Sequence, residues 1–124
     1  MAPAQSLLLN NIGYSFLMAG SPDQAEAYLR QALIHQGDYA LARRNLALVL
    51  TRQNKPDAAV HILTPVMGEA AALNDIGYLM MLNNDPAVAE ALFRKAINSS
   101  PYYYIEAWDN LDRLKASIAQ KADR

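Results

Sequence analysis

Apolar residues recur three and four positions apart along most of the chain, a spacing that places them on one face of an α-helix. One such segment runs from Leu7 to Ala19, and a second follows Pro22, with apolar positions at Ala25 and Leu29. The same order of two apolar segments then occurs twice more along the sequence. The pattern therefore predicts an all-α fold built from helical hairpins.

A proline begins the second helix of each predicted hairpin. Pro22, Pro56 and Pro86 are 34 and 30 residues apart, and a proline at the first helical position loses no hydrogen bond. Ser21 and Asp85 precede two of these prolines and are good N-cap residues. The first helices end at residues that tolerate left-handed backbone, namely Gly20, Asn54 and the pair Asn83–Asn84.

A small residue stands at the same place in every helix of the three hairpins. Small residues let two helix backbones approach closely, and larger ones would overpack the contact. We therefore expect these residues to face each other across each hairpin. The expected pairs are Gly13 with Ala25, Ala47 with Ala59, and Gly77 with Ala89.

These segments resemble the tetratricopeptide repeat (TPR), a helix–turn–helix unit with a period of 34 residues. The resemblance divides the chain into repeats at 6–39, 40–69 and 70–103, followed by a capping helix at 105–120. It implies a right-handed α-solenoid of three TPR hairpins plus the C-terminal capping helix. All of them would lie in one domain over residues 1–124.

Repeat two departs from the family pattern because it is four residues short. Pro65 lies within its second helix, and the ring of a proline blocks a helix interior. Gly68 follows shortly afterwards. We expect Pro65 to end this helix and the pitch of the solenoid to change there.

One branch of the TPR family is similar to this chain in more detail. Residues 43–50, 54–59 and 74–79 resemble TadD-type pilus-assembly proteins, which are TPR lipoproteins of the tight-adherence secretion system. The resemblance implies a role in pilus or secretion-system assembly, on the periplasmic side of the outer membrane, for an excised domain. TadD-type proteins carry a lipidated N-terminal cysteine, whereas this chain has no cysteine.

In TPR proteins the first helix of each repeat lines a concave face that binds peptides. Asparagine side chains there offer both a donor and an acceptor to an unpaired peptide backbone, and tyrosines add contact area. The alternative is that these residues are solvated and bind nothing. Carried over position by position, the groove residues are Asn10, Asn11, Tyr14, Arg44, Asn45, Leu48, Asn74, Asp75, Tyr78, Asp109, Asn110 and Arg113, with Leu17, Thr51 and Met81 beside them.

The expected groove differs from that of chaperone-binding TPR proteins. Those proteins grip a terminal carboxylate with lysines and an arginine. Here the corresponding positions hold Asn10, Ala71 and Asp75. The resemblance therefore does not imply a domain that binds the acidic C-terminal peptides of chaperones.

Composition narrows the function further. The net charge is -1, from 11 basic and 12 acidic residues, so nothing favours binding to nucleic acid. Without cysteine, and with His35 and His61 far from any acidic cluster in the sequence, we predict no metal, no cofactor and no enzyme activity. No apolar run approaches the roughly 18 residues of a membrane span.

The run Tyr102–Tyr104 has two interpretations: an aromatic binding edge, or a helix connection whose rings cover the last hydrophobic seam. The preferred function is a scaffold or adaptor that holds a protein or peptide partner. The alternative is a structural or regulatory TPR protein that self-associates as a homodimer through its terminal helix or an exposed edge.

Overall fold

The computed structural model describes residues 3–123, which form helices without any strand. Seven helices lie within these residues. Their bounds are α1 Pro3–Met18, α2 Pro22–His35, α3 Ala40–Arg52, α4 Pro56–Met67, α5 Glu69–Leu82, α6 Pro86–Ser99 and α7 Ile105–Ala122.

The turn inside each hairpin follows the chemistry expected from the sequence. Helices α2, α4 and α6 begin at the three prolines. Before them, Gly20, Asn54 and Asn84 have φ angles of 79°, 61° and 62°, the left-handed backbone that glycine and asparagine tolerate. Asp85 caps α6, since its carboxylate accepts from the Val88 N–H at 3.3 Å. Ser21 stands at the N-cap of α2 without a side-chain hydrogen bond.

The described residues divide into two compact units, one up to Val66 and one from Met67 onward. In the first unit, α1 packs along α2, and α3 packs against both. Its core is aliphatic: Leu17, Leu29, Leu46 and Leu50 are almost fully buried. A Cβ added to Gly13 would lie 2.7 Å from Leu29 Cγ and 3.2 Å from the Ala25 carbonyl oxygen. The predicted approach of α1 to α2 beside Ala25 is therefore confirmed.

In the second unit, α5 packs along α6, and α7 packs against both. Phe93 is the largest fully buried side chain there. Gly77 lies against α6, where Phe93 takes the place that Leu29 takes beside Gly13, and the facing of Gly77 and Ala89 stays a prediction. A Cβ on Gly77 would lie 2.7 Å from the Phe93 ring and 3.3 Å from Leu92 Cβ, so the aromatic ring occupies the space that the glycine leaves.

The prediction that Pro65 ends its helix is wrong. Helix α4 continues through Pro65 to Met67, and the break comes at Gly68, whose φ of 90° only glycine adopts readily. Pro65 is exposed and only two residues from the helix end. A proline in the last turn removes one hydrogen bond, and no long helix remains beyond it to be interrupted.

Candidate ligand-binding surface

A partly buried pair of asparagine side chains links α1 to α3. Asn45 on α3 donates its Nδ2 hydrogen to Asn10 Oδ1 on α1 at 2.9 Å. Asn10 is only 1% exposed, so the prediction that its side chain faces solvent in the groove is wrong. Asn45 is half-buried, and one of its two donors is occupied. The pair stabilises the contact between α1 and α3.

The other groove residues of the first unit differ in exposure. Asn11, Tyr14 and Arg44 are exposed, and Leu48 is half-buried. Leu17 and Thr51 are buried, which corrects their assignment to the groove. Thr51 donates to the Ala47 carbonyl oxygen at 2.7 Å, as threonines inside helices commonly do.

The second unit repeats the amide pair. Asn110 on α7 donates its Nδ2 hydrogen to Asn74 Oδ1 on α5 at 3.0 Å. Asn74 is 7% exposed, and Asn110 is half-buried. As in the first unit, the asparagine on the earlier first helix is the buried acceptor. Asn74 is thus the second predicted groove asparagine that the structure buries.

Charged and aromatic side chains surround this second pair. Asp75, Tyr78, Asp109 and Arg113 are exposed, while Met81 is half-buried. Together with the exposed residues of the first unit, they are the predicted groove residues that solvent reaches. Within each unit they offer aromatic, apolar and charged contacts on the first helices.

Tyr104 was not predicted as part of this surface. Burial raises the pKa of its phenol, the Asp75 and Glu106 carboxylates raise that pKa further, and a hydrogen bond with Asn74 partly offsets the rise. Tyr104 thus lies beside the Asn74–Asn110 pair. The sequence marked Tyr104 only as part of an aromatic run, because its distance from Asn74 depends on tertiary packing.

Arg43 is a second residue that sequence reasoning missed. Its Nε donates to the Gly37 carbonyl oxygen at 2.8 Å and its Nη1 to the Ile62 carbonyl oxygen at 3.1 Å. These bonds tie α3 to the loop before it and to α4. The neighbouring Arg44, by contrast, is exposed. Of two adjacent arginines, one is structural and the other is available to a ligand.

The aromatic run forms part of an open cavity of about 410 Å³ in the second unit. Tyr103, Tyr104 and Met67 are among the residues that line it. Tyr103 stacks on Trp108 with ring centroids 6.3 Å apart, while Tyr102 is 82% exposed. The two outer rings thus project into solvent, and Tyr104 is the ring that packs inward.

Within residues 3–123, no group of three or more His, Asp or Glu side chains is arranged to hold a metal ion. The helices of this segment are also too short or too polar to cross a membrane.

Comparison with known proteins agrees with these hairpins. Residues 10–63 match the family model described as tetratricopeptide repeat. No curated protein matches the sequence significantly. Among solved structures, the chain is similar to the first TPR domain of Spaghetti (RPAP3), which was solved bound to the HSP90 peptide SRMEEVD. The TM-score is 0.61 at 15% identity, over 96% of this chain and 97% of that one. The predicted all-α, TPR-solenoid fold class is confirmed.

Proposed function

We infer that this chain, which carries tetratricopeptide repeats in residues 10–63 and has the TPR fold, is a non-enzymatic protein-interaction module. Its groove residues are the first-helix side chains that solvent reaches in each unit. Their partner is a peptide or an extended segment of a protein subunit. The fold supports this class of function, since TPR domains are generally interaction modules without catalytic activity.

The observation that carries the proposal is the exposure of polar and aromatic side chains beside a fixed amide pair. In the first unit, Tyr14 is 46% exposed and Arg44 is exposed near the paired Asn45. In the second unit, Tyr78 is 43% exposed and adjoins the exposed Asp75 on α5. Tyrosine and arginine concentrate binding energy at interfaces, because they combine large contact area with hydrogen bonding.

The charges favour a partner other than an acidic peptide tail. The HSP90 peptide bound by the RPAP3 domain ends in the acidic sequence EEVD. In this chain Asn10 is buried and Asp75 is an exposed carboxylate, so two of the three positions that would grip a terminal carboxylate cannot do so. We propose that the ligand offers its backbone and apolar or basic side chains instead.

We also propose pilus or secretion-system assembly as the setting, with a subunit of that machinery as partner. This part of the proposal is supported by the TadD-type resemblance of residues 43–50, 54–59 and 74–79. We propose, in addition, that residues 1–124 form a single domain.

The test selects peptides from a displayed library of random twelve-residue sequences against the intact chain. Binding of the selected peptides is then titrated by fluorescence polarisation against Arg44→Ala and Tyr14→Ala. Truncating a central interface residue costs about 2 kcal/mol, so each variant should bind roughly thirtyfold more weakly. Arg30→Ala is the matched control, because Arg30 is exposed on the second helix α2.

Three results would contradict the proposed surface. One is equal binding by Arg44→Ala, Tyr14→Ala and the wild type. Another is an equal loss of binding in the Arg30→Ala control. Melting curves accompany each titration, so that a folding defect is distinguished from a lost contact.

A further inference from the structure

One face of α1 exposes large side chains at helical spacing. Leu7, Leu8, Tyr14 and Met18 are 46%, 60%, 46% and 53% exposed, and Asn11 lies between them. The small exposed residues Ala4 and Ser15 complete this face. Spacings of three and four residues place these seven residues, here called the α1 stripe, in one line along the helix. Coiled-coil helices pair through a stripe of this kind.

The α1 stripe carries no charge. Helix α1, residues 3–18, contains no Asp, Glu, Lys, Arg or His. Two copies of this helix can therefore approach without repulsion between like charges and without burying an ion. A charge-free helix with four exposed large apolar side chains is unusual on a surface that stays solvated.

We propose that the α1 stripe is a homodimer interface in which α1 packs antiparallel against α1 of a second copy. The two-fold axis passes beside Asn11, the central residue of the stripe. The inference goes beyond peptide binding, because its partner is a second copy of the same chain. It uses Asn11 and Tyr14 of the proposed groove, so the dimer and a bound peptide would compete for this face of α1.

The geometry of an antiparallel pair makes the stripe self-complementary. Rotation about Asn11 places Ala4 opposite Met18 of the other copy, and Leu8 opposite Ser15, so in these two pairs a large side chain meets a small one. Leu7 meets Tyr14, which buries two apolar surfaces together. Asn11 meets its own counterpart, and two amides satisfy each other because each has a donor and an acceptor.

A parallel pair would be less favourable. It would set Met18 against Met18 and Ala4 against Ala4, leaving crowding at one end and a gap at the other. A polar residue at the centre of an apolar seam also selects register, because a slipped pair would bury an amide without a partner. The antiparallel register is therefore the one in which size and polarity match along the whole stripe.

The seam is small, so the dimer is weak. With about 200 Å² for a large side chain, the four half-exposed residues of both copies bury roughly 800 Å², less than the roughly 1,200 Å² of a standard stable interface. The dimer then forms at high local concentration and separates on dilution.

Sedimentation velocity over a concentration series from about 1 µM to 1 mM tests the interface. The wild type should change from monomer to dimer, and Leu8→Glu should raise the dissociation constant at least tenfold. Ile34→Glu is the matched control and should dimerise like the wild type, because Ile34 is 81% exposed on α2, away from the stripe. A wild type that stays monomeric to 1 mM, or a dimer unaffected by Leu8→Glu, would overturn the proposal.

Cysteine cross-linking tests the register, and the chain contains no cysteine to interfere. Under oxidation, Asn11→Cys should form a covalent dimer with itself, and a mixture of Leu7→Cys with Tyr14→Cys should cross-link more than either variant separately. A parallel pair would instead link Leu7→Cys to itself. That outcome, or equal cross-linking of an Ile34→Cys control, would overturn the antiparallel dimer. Unchanged helical circular dichroism shows that each variant is folded.

Discussion

At the scale of single residues, the asparagines of the first helices have a structural role that their pattern did not reveal. Their recurrence suggested a column of side chains facing a ligand. The structure shows Asn45 paired with buried Asn10, and Asn110 paired with buried Asn74. Amides are suited to both roles, since one donor can hold a neighbouring helix while the remaining groups face outward.

Asn45→Ala should therefore destabilise the fold. It leaves the buried Asn10 oxygen without its donor, and an unsatisfied buried acceptor costs about 1–3 kcal/mol. The measurement is the free energy of unfolding in urea. Asn11→Ala is the control: Asn11 is exposed, so its loss should change stability by less than about 0.5 kcal/mol. Equal stability of the two variants would show that the amide pair contributes nothing.

Gly77→Leu should destabilise the fold by more than about 2 kcal/mol, because it overpacks the core. The first atom beyond the backbone would already lie 2.7 Å from the buried Phe93 ring. Gly37→Leu is the matched control, since the nearest atom to a Cβ there is 3.7 Å away and Gly37 is exposed. A thermal melt of Gly77→Leu that equals the wild type would remove the proposed close contact between α5 and α6.

At the scale of helices, the sequence correctly predicts where α2, α4 and α6 begin, but it misplaces the end of α4. Proline at the first turn and glycine or asparagine at the last are local signals, so the hairpin turns could be predicted from neighbouring residues. The sequence predicts a helix end at Pro65, because a proline strongly disrupts a helix interior. Its position two residues before Met67 makes that effect small, and the backbone of Gly68 sets the end instead.

Gly68→Asn should cost about 1–3 kcal/mol, because Gly68 has φ 90° and ψ 161°, a region that only glycine occupies without strain. Gly20→Asn should be tolerated. Gly20 has φ 79° and lies at the turn position that Asn54 and Asn84 occupy in the other hairpins. Chemical denaturation of both variants gives the comparison, and similar losses would show that the break after α4 does not depend on glycine.

The start of α2 contains a pH-dependent contact. Arg30 hydrogen-bonds Glu26 at 2.8 Å and lowers the pKa of this carboxyl below 4.5, with Gln53 and Lys55 lowering it further and burial opposing them. A lowered pKa in the folded state means that the carboxylate stabilises the protein above about pH 4.5 and less as the pH falls below it. Glu26→Gln should therefore lower the melting temperature slightly at pH 7. The difference should shrink toward pH 3, and a constant difference across this range would contradict the linkage.

At the scale of the molecule, the hairpins, their order and the fold class follow from the sequence, since they depend on periodicity and turn chemistry. The division of the candidate surface into exposed and buried residues does not. Arg43 and Arg44 are adjacent and chemically identical, yet only tertiary contacts decide that Arg43 binds two carbonyl groups while Arg44 is exposed. Tyr104 is a similar case, because its partner Asn74 is thirty residues away in the chain.

The amide pairs also bear on how a chain of similar hairpins avoids assembling incorrectly. Repeated units with nearly interchangeable apolar faces are prone to pair out of order or with another molecule while they fold. A leucine accepts almost any apolar neighbour, whereas a buried amide accepts only a neighbour that supplies its missing hydrogen bond. Asn10 and Asn74 should therefore favour the correct pairing during folding, because a first helix shifted by one position would leave the buried amide without the asparagine that lies 35 or 36 residues later.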